Sequence, residues 1–209
     1  MRLINVHNLA FEEFEGEENI PKYAILSHRR EQEEVLFKHW GTLDAYKRKG
    51  YAKALKCCEN TRQRGLDYVW IDNCCIDKSS SAELSQAINS MFSWYENAVE
   101  CYVYLSDVPD KPFEESMWFT RGWTLQELIA PRVERFYDRD WKLIGDKRSL
   151  DKQLATITKI PTEVLLNEDR LSGYSIAQRM SWASKRTTTR VDDRAYSLLG
   201  IFSIHMPML

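Results

Sequence analysis

The sequence has little net charge and no excess of either sign. It contains 29 Lys and Arg residues and 31 Asp and Glu residues, which gives a formal net charge of −2 at pH 7. A protein that binds nucleic-acid backbones usually carries a clear excess of basic residues. The sequence therefore predicts no nucleic-acid partner.

Long hydrophobic runs are also missing. No stretch approaches the roughly 20 apolar residues that cross a bilayer, and the start of the chain lacks the basic-then-apolar order of a signal peptide. We therefore expect a soluble cytoplasmic protein with no membrane partner. Apolar residues still make up 44% of the 209 residues, which is enough for the core of one domain over 1–209.

Cysteine and histidine are few and lack the spacing of metal sites. None of the five cysteines belongs to a C-x-x-C pair, and the four histidines show no ligand spacing. We expect no bound metal and reduced, buried thiols. The cysteines are Cys57, Cys58, Cys74, Cys75 and Cys101.

Short apolar runs alternate with helical patterns through the middle of the chain. Helical spacing predicts a helix over 51–64 and a second helix after Ser80, where Ser80 and Glu83 form a capping-box pattern. A short helix over 124–130 is expected to end at Pro131. The runs that predict strands are Tyr23–Leu26, Tyr68–Ile71, Cys101–Leu105, Val133–Tyr137 and Trp141–Ile144.

This alternation predicts an α/β fold, in which helices flank a parallel sheet. The pattern becomes mainly helical over 149–209, where Pro161 starts one helix and Ser175 with Gln178 caps another. Near the start, the acidic stretch Glu12–Glu18 is predicted to be a solvated loop.

The ends of the predicted strands indicate where a ligand would bind. In parallel sheets, ligands bind beyond the carboxyl ends of the strands. Those ends carry Ser27–Arg30, Asp72–Asp77 and Ser106–Asp107, and the helix over 124–130 starts near the same edge. We therefore expect the functional residues along this edge.

Glu127 and Trp123 are four residues apart, so one helix face carries both side chains. An indole beside a carboxylate excludes water, which raises the carboxyl pKa, and it can stack on a flat ligand. Such a glutamate can stabilise a positively charged transition state, as in cleavage of a glycosidic bond. The alternative is a surface glutamate beside a core tryptophan. Spacing alone favours this alternative, because few glutamates are catalytic.

Several aspartates at the ends of predicted strands or the starts of helices have a simple structural interpretation. Asp72 and Asp77 follow the second strand. An aspartate there can accept a phosphoryl group, bind a metal or cap the next helix, and capping is the default. Asp192–Arg194 resembles an N-terminal helix cap with local ion pairing. We interpret this last pattern as structural.

Two further groups at the edge leave alternatives open. Cys74 is either a nucleophile beside His28 or a structural thiol, and no pattern links it to that histidine, which favours the structural role. Arg29 and Arg30 bind a phosphate-bearing ligand or balance the glutamates that follow them. The sequence supports these two roles equally.

Four blocks of the sequence are distinctive when taken together: Tyr23–His28, Trp70–Asp77, Arg121–Pro131 and Arg190–Ile201. They resemble the heterokaryon-incompatibility (HET) domain of filamentous fungi, and the resemblance covers nearly the whole chain. Members of that family commonly carry Thr-Trp-Gly after the first block, where this chain has Arg29-Arg30-Glu31. Because the family normally continues beyond this point, we expect an N-terminal domain of a larger protein.

HET domains are in turn similar to TIR domains. The TIR segment Trp-Cys-Leu-x-Glu-Leu carries the glutamate that is catalytic in the members that cleave NAD⁺. It is matched by Trp123, Leu125, Glu127 and Leu128, and Thr124 replaces its cysteine. The resemblance implies a TIR- or flavodoxin-like core over 1–148 and a helical extension over 149–209. It also implies a role in fungal nonself recognition and cell death.

The same resemblance implies NAD⁺ as the substrate, Glu127 as the catalytic glutamate and no cofactor. Trp123 or Tyr104 would contact the nicotinamide, and Arg29 or Arg30 the phosphates. The alternative is a non-enzymatic death-signalling domain that acts by self-association or partner binding. The substrate-binding residues that we predict are Ser27, His28, Arg29, Arg30, Asp72, Cys74, Tyr104 and Trp123.

Overall fold

A mixed sheet of seven strands forms the centre of the chain, in the order β2-β1-β4-β3-β5-β6-β7. The computed structural model describes residues 1–206, so residues 207–209 of the predicted extension lie outside the described residues. The strands are β1 Arg2–Asn5, β2 Phe11–Glu13, β3 Tyr23–His28, β4 Tyr68–Ile71, β5 Glu100–Leu105, β6 Glu134–Asp138 and β7 Leu143–Asp146.

The four central strands are parallel, which confirms the predicted α/β class. The sheet is mixed at both edges, because β1, β2 and β7 pair in the antiparallel sense. Strand β7 follows β6 through a short turn, which permits only an antiparallel neighbour. The central strands follow helical crossovers or long connections, and such connections allow parallel pairing.

The acidic stretch near the start is a strand over part of its length. Phe11–Glu13 pairs with β1, although Glu12–Glu18 was predicted to be a loop. Arg2 donates to Glu13 at 2.7 Å, and the ring centroids of Phe11 and Phe37 lie 5.3 Å apart. These long-range contacts stabilise a strand of three residues that has no recognisable pattern of its own.

Helices flank the sheet and also make up most of the regular structure that follows β7 in the sequence. Those in the core are α1 Gly50–Gln63, α2 Asp72–Cys75, α3 Ser81–Asn97 and α4 Thr124–Ile129. Those in the extension are α5 Asp151–Thr158, α6 Thr162–Leu165, α7 Ile176–Ala183 and α8 Asp193–Tyr196. Within residues 1–206, no helix combines the length and the apolar character needed to cross a bilayer.

The predicted caps are confirmed in one case and half formed in another. Ser175 and Gln178 form a complete capping box at the start of α7. Ser80 accepts from the Glu83 N–H at 3.3 Å, but the Glu83 side chain does not return to Ser80. It pairs instead with Arg2 at 2.8 Å and accepts from the Asp77 N–H at 2.8 Å. Asp192 makes no side-chain cap of α8.

The extension packs on the core beside α3 and α4. Helix α6 contacts α4 and α5, and the 3-10 helix Gly200–Phe202 packs on α3. The five cysteines are free and buried, as predicted. Two ion pairs are buried among residues 1–206: Lys147 Nζ lies 3.4 Å from Glu134 Oε2, and Lys53 Nζ lies 2.5 Å from Glu34 Oε1.

Candidate functional site

A cavity of about 780 Å³ lies at the carboxyl ends of β3 and β4, between α3 and the start of α4. This is the edge at which the sequence places a ligand site. One wall is the apolar face of α3, with Leu84, Ala87, Ile88 and Met91. The opposite side carries charged and aromatic side chains, among them His28, Arg29, Arg30, Asp72, Lys78, Arg121, Trp123 and Glu127.

Glu127 is held in this cavity by two buried residues. The Ser27 hydroxyl, at the end of β3, donates to Glu127 Oε2. Ser27 Oγ also accepts from Trp118 Nε1 at 2.9 Å. The side chains of Ser27 and Trp118 are fully buried, so this chain of hydrogen bonds is shielded from water. It fixes one carboxylate oxygen of Glu127, and the Tyr95 hydroxyl of α3 also interacts with this carboxylate.

The start of α4 is fixed by a similar contact. The Thr124 hydroxyl donates to the Trp118 carbonyl at 2.6 Å, which joins the helix to the preceding segment. Trp123 stands just before the first helical residue and lines the cavity one turn from Glu127. The indole and the carboxylate therefore share one cavity, as the four-residue spacing predicts.

Burial raises the pKa of Glu127 to about 7. The hydrogen bond from Ser27 opposes this rise, the charge of Asp72 adds to it, and the charge of Arg121 opposes it. A carboxyl group that titrates near neutral pH is typical of catalytic sites, where desolvation and neighbouring charges are combined. The group can therefore change its charge near neutral pH.

Asp72 forms the centre of a charged cluster in the same cavity. His28 Nε2 lies 3.1 Å from Asp72 Oδ1, and Arg30 and Lys78 approach Asp72 Oδ2 at 2.9 and 3.2 Å. Burial alone would raise the pKa of Asp72, but Arg30 and His28 lower it below its ordinary value. Burial lowers the pKa of His28, and Lys53 adds to this effect. Asp72 is therefore an ionised partner of two cations and not a simple helix cap.

The structure brings most of the predicted site residues together, with Ser27 behind Glu127 and not on the cavity surface. Two predicted residues lie elsewhere. Cys74 is buried, and its Sγ points to the Val35 carbonyl at 3.3 Å, because the turn of α2 directs it away from the cavity. Tyr104 lines a neighbouring cavity of about 570 Å³. Cys74 and Tyr104 therefore do not line the cavity that contains Glu127, contrary to the prediction.

Sequence reasoning missed several residues of this cavity. Arg121 immediately precedes the Gly122–Trp123 pair, and nothing in its spacing marks it as a cavity residue. Tyr95 comes from α3, and its hydroxyl donates to the Leu26 carbonyl at 3.1 Å. The segment after α7 contributes a further set: Thr187, Thr188, Thr189, Arg190, Asp192, Asp193 and Tyr196. The only available signal was the distinctive block Arg190–Ile201.

The side chains around the cavity determine which kind of ligand it can hold. Among residues 1–206, no three His, Cys, Asp or Glu side chains are arranged to hold a metal ion. The cavity is lined by carboxylate, guanidinium and aromatic groups. Such groups suit a ligand that combines anionic, polar and flat ring portions.

The fold and this cavity define an α/β domain with a buried acidic site, and comparisons identify its family. Residues 23–112 match the family model described as heterokaryon incompatibility protein (HET). The chain therefore belongs to the heterokaryon-incompatibility family. Glu127 lies beyond the residues that this model matches.

A named relative extends the likeness over most of the chain. The vegetative incompatibility protein HET-E-1 of Podospora anserina is 46% identical over 204 residues, which cover 91% of this chain. The chain spans only 15% of the length of that relative. No solved structure matches the chain significantly.

Proposed function

We propose that this chain is a cell-death effector domain of fungal incompatibility, and that it acts by cleaving NAD⁺ to release nicotinamide. The role in incompatibility is supported by the family and by the name of the relative. The activity is supported above all by one observation, the hydrogen-bonded carboxylate of Glu127 in a large cavity.

In this proposal, ionised Glu127 binds the nicotinamide-side ribose and stabilises the oxocarbenium ion. The bond between ribose C1′ and the nicotinamide nitrogen breaks, and its electron pair leaves with the neutral nicotinamide. Water then adds to C1′ and loses a proton, which gives ADP-ribose. An adenine nitrogen of the same molecule can replace water and give a cyclic product.

The other cavity residues suit the rest of the substrate. Trp123 lies one turn from Glu127, which supports Trp123 over Tyr104 as the residue that stacks on nicotinamide. Arg30 is already paired with Asp72, whereas Arg29 has no ion pair with another residue among 1–206. Arg29 is therefore the better partner for a phosphate group.

The proposal is tested by incubating the purified domain with NAD⁺ and measuring free nicotinamide by chromatography. We expect nicotinamide to appear together with ADP-ribose or its cyclic form. The assay is repeated with the domain fused to a tetramerising coiled coil, because cell-death domains often work as clusters. Intact NAD⁺ in both assays would refute the enzymatic function.

The second candidate is a non-enzymatic signalling domain, and one surface feature favours it. Ile176 and Met180 of α7 are four residues apart and exposed by 66% and 46%. They form a small apolar strip to which a partner can bind. In this case an Ile176→Ser/Met180→Ser variant loses toxicity in cells, while cellular NAD⁺ stays constant during death caused by the native protein.

A further inference from the structure

Residues 186–196, which we call the C-terminal arm, are joined directly to the start of the α4 region. The Thr187 N–H donates to the Thr120 carbonyl at 2.7 Å, and the Gly122 N–H donates to the Thr187 carbonyl at 2.8 Å. This pair of hydrogen bonds resembles one rung of a sheet. The arm is therefore held within one residue of Trp123.

A buried arginine strengthens this connection. Arg186 is only 8% exposed, and its Nη1 donates to the Arg121 carbonyl at 3.0 Å and to the Thr124 hydroxyl at 2.8 Å. No carboxylate among residues 1–206 lies within ion-pair distance of Arg186. A buried cation without a carboxylate partner is costly, so this position has a specific task. Here that task is to fix the arm against α4.

Beyond this connection the arm forms a wall of the Glu127 cavity. Asp193 and Tyr196 of α8 are three residues apart, so they lie on one side of the helix, and both line the cavity. Both residues are partly buried. Neither the Asp193 carboxylate nor the Tyr196 hydroxyl makes a hydrogen bond or ion pair with another residue among 1–206. These side chains are available to a ligand.

The arrangement of charge in the cavity indicates which part of a ligand the arm meets. Arg29, Arg30 and Lys78 lie at the ends of β3 and β4, and they suit phosphate groups. The arm contributes one cation, Arg190, but also two carboxylates, Asp192 and Asp193, and the aromatic ring of Tyr196. A carboxylate beside aromatic faces is the environment that attracts a flat cation. The nicotinamide ring of NAD⁺ carries a positive charge, whereas the same ring in NADH does not.

We propose that the C-terminal arm is part of the substrate site, and that Asp193 and Tyr196 recognise the cationic nicotinamide ring. This inference rests on the proposed NAD⁺-cleaving function and adds a recognition element from outside the predicted core. It makes the domain selective for NAD⁺ over NADH. It also gives the extension a direct role at the substrate, in addition to packing on the core.

Binding is measured without turnover, in a Glu127→Gln background, by isothermal titration calorimetry with NAD⁺ and with NADH. We expect this parent to bind NAD⁺ more tightly than NADH. Adding Asp193→Asn weakens NAD⁺ binding by about tenfold, the effect of losing one partly shielded charge pair, and leaves NADH binding unchanged. Tyr196→Leu gives a similar loss for NAD⁺, whereas Tyr196→Phe keeps the ring and retains affinity.

Glu168→Gln serves as the matched control, because Glu168 is an exposed acid of the same extension outside the cavity. It is expected to change neither affinity. If the parent binds NAD⁺ and the Asp193 and Tyr196 variants bind it equally well, the role of the arm is refuted while the proposed function stands. If neither the parent nor the native domain binds NAD⁺, the proposed function fails first, and this inference fails with it.

Discussion

Ser27 donates a hydrogen bond to Glu127 across a sequence separation of 100 residues. This contact joins the carboxyl end of β3 to helix α4. Because Ser27 also accepts from Trp118, its hydroxyl proton is directed at the carboxylate and not at solvent. Ser27 is therefore a positioning residue for Glu127, which differs from the substrate contact that the sequence suggests.

Removing this hydroxyl should change the pH dependence of catalysis. The Ser27 hydrogen bond lowers the pKa of Glu127, so Ser27→Ala raises that pKa above about 7. Because the proposed mechanism uses the ionised carboxylate, the acid limb of kcat/KM should move to higher pH. Activity at pH 6 should fall roughly tenfold, since hydrogen bonds to ionised groups are worth about 1.5–3 kcal/mol.

Thr61→Val is the control for Ser27→Ala. Thr61 is equally buried, and its hydroxyl donates to the Cys57 carbonyl at 2.8 Å, far from the cavity in the helix α1. It should lower thermal stability and leave the pH profile in place. A pH profile that is the same in Ser27→Ala and the native domain would contradict the positioning role.

Glu127→Gln should make the domain more stable at alkaline pH. The pKa of Glu127 is raised from 4.5 to about 7 on folding, so the folded state holds its proton more tightly than the unfolded state. The contribution of this carboxyl group to stability is therefore fully present below pH 4.5 and is lost as pH rises through about 7. Urea unfolding should show a gain of about 2–3 kcal/mol for the variant at pH 8.

The same comparison at pH 4 should show almost no difference, because the native carboxyl group is then protonated in both states. Glu168→Gln, on the exposed surface, should leave stability unchanged at both pH values. A Glu127→Gln domain that is less stable than the native one at pH 8 would contradict the desolvation of this carboxylate.

Removing one partner of the buried pair Glu134–Lys147 should lower the stability of the domain. Burial raises the pKa of Glu134 and lowers that of Lys147. Lys147→Met leaves Glu134 without its counter-charge and should cost about 3–5 kcal/mol in urea unfolding. The double variant Glu134→Leu/Lys147→Met should recover most of this loss. Equal losses in the single and double variants would contradict the coupling.

The close approach of the arm to Gly122 can be tested with one methyl group. A Cβ on Gly122 would lie 2.5 Å from Thr188 Cγ2 and 3.1 Å from Ser197 Oγ, so Gly122→Ala pushes the arm outward. We expect a loss of about 1–3 kcal/mol in stability and a higher KM for NAD⁺. Gly173→Ala, which meets nothing within 4 Å, should leave both unchanged. An unchanged KM in Gly122→Ala would show that the arm position does not matter.

The central strands could be predicted because each has a recognisable pattern within its own sequence. Strands β3, β4 and β5 are buried on both faces, and such strands appear as continuous apolar runs. Strands β1 and β2 were not predictable, since β2 has only three residues and two of them are glutamates. Their pairing depends on partners that are distant in the sequence.

The sequence predicted the two central residues of the candidate site, Glu127 and Trp123. It did not predict the residues that surround them. Spacing and resemblance predicted that Glu127 and Trp123 share the site at the sheet edge, because Trp123 directly precedes α4 and lies one turn from Glu127. The direction of the Cys74 side chain depends on how α2 turns after β4, which no local pattern records. Asp193 and Tyr196 reach the cavity only because the extension folds back over α3 and α4.

The release of nicotinamide by matched variants tests most directly the proposed role of Glu127 in NAD⁺ cleavage. The native domain and Glu168→Gln should release nicotinamide at the same rate. Glu127→Gln should fold normally, judged by circular dichroism, and should be at least about 100-fold slower, as expected when a group that stabilises transition-state charge is lost. Nicotinamide release by Glu127→Gln at the native rate would contradict the account.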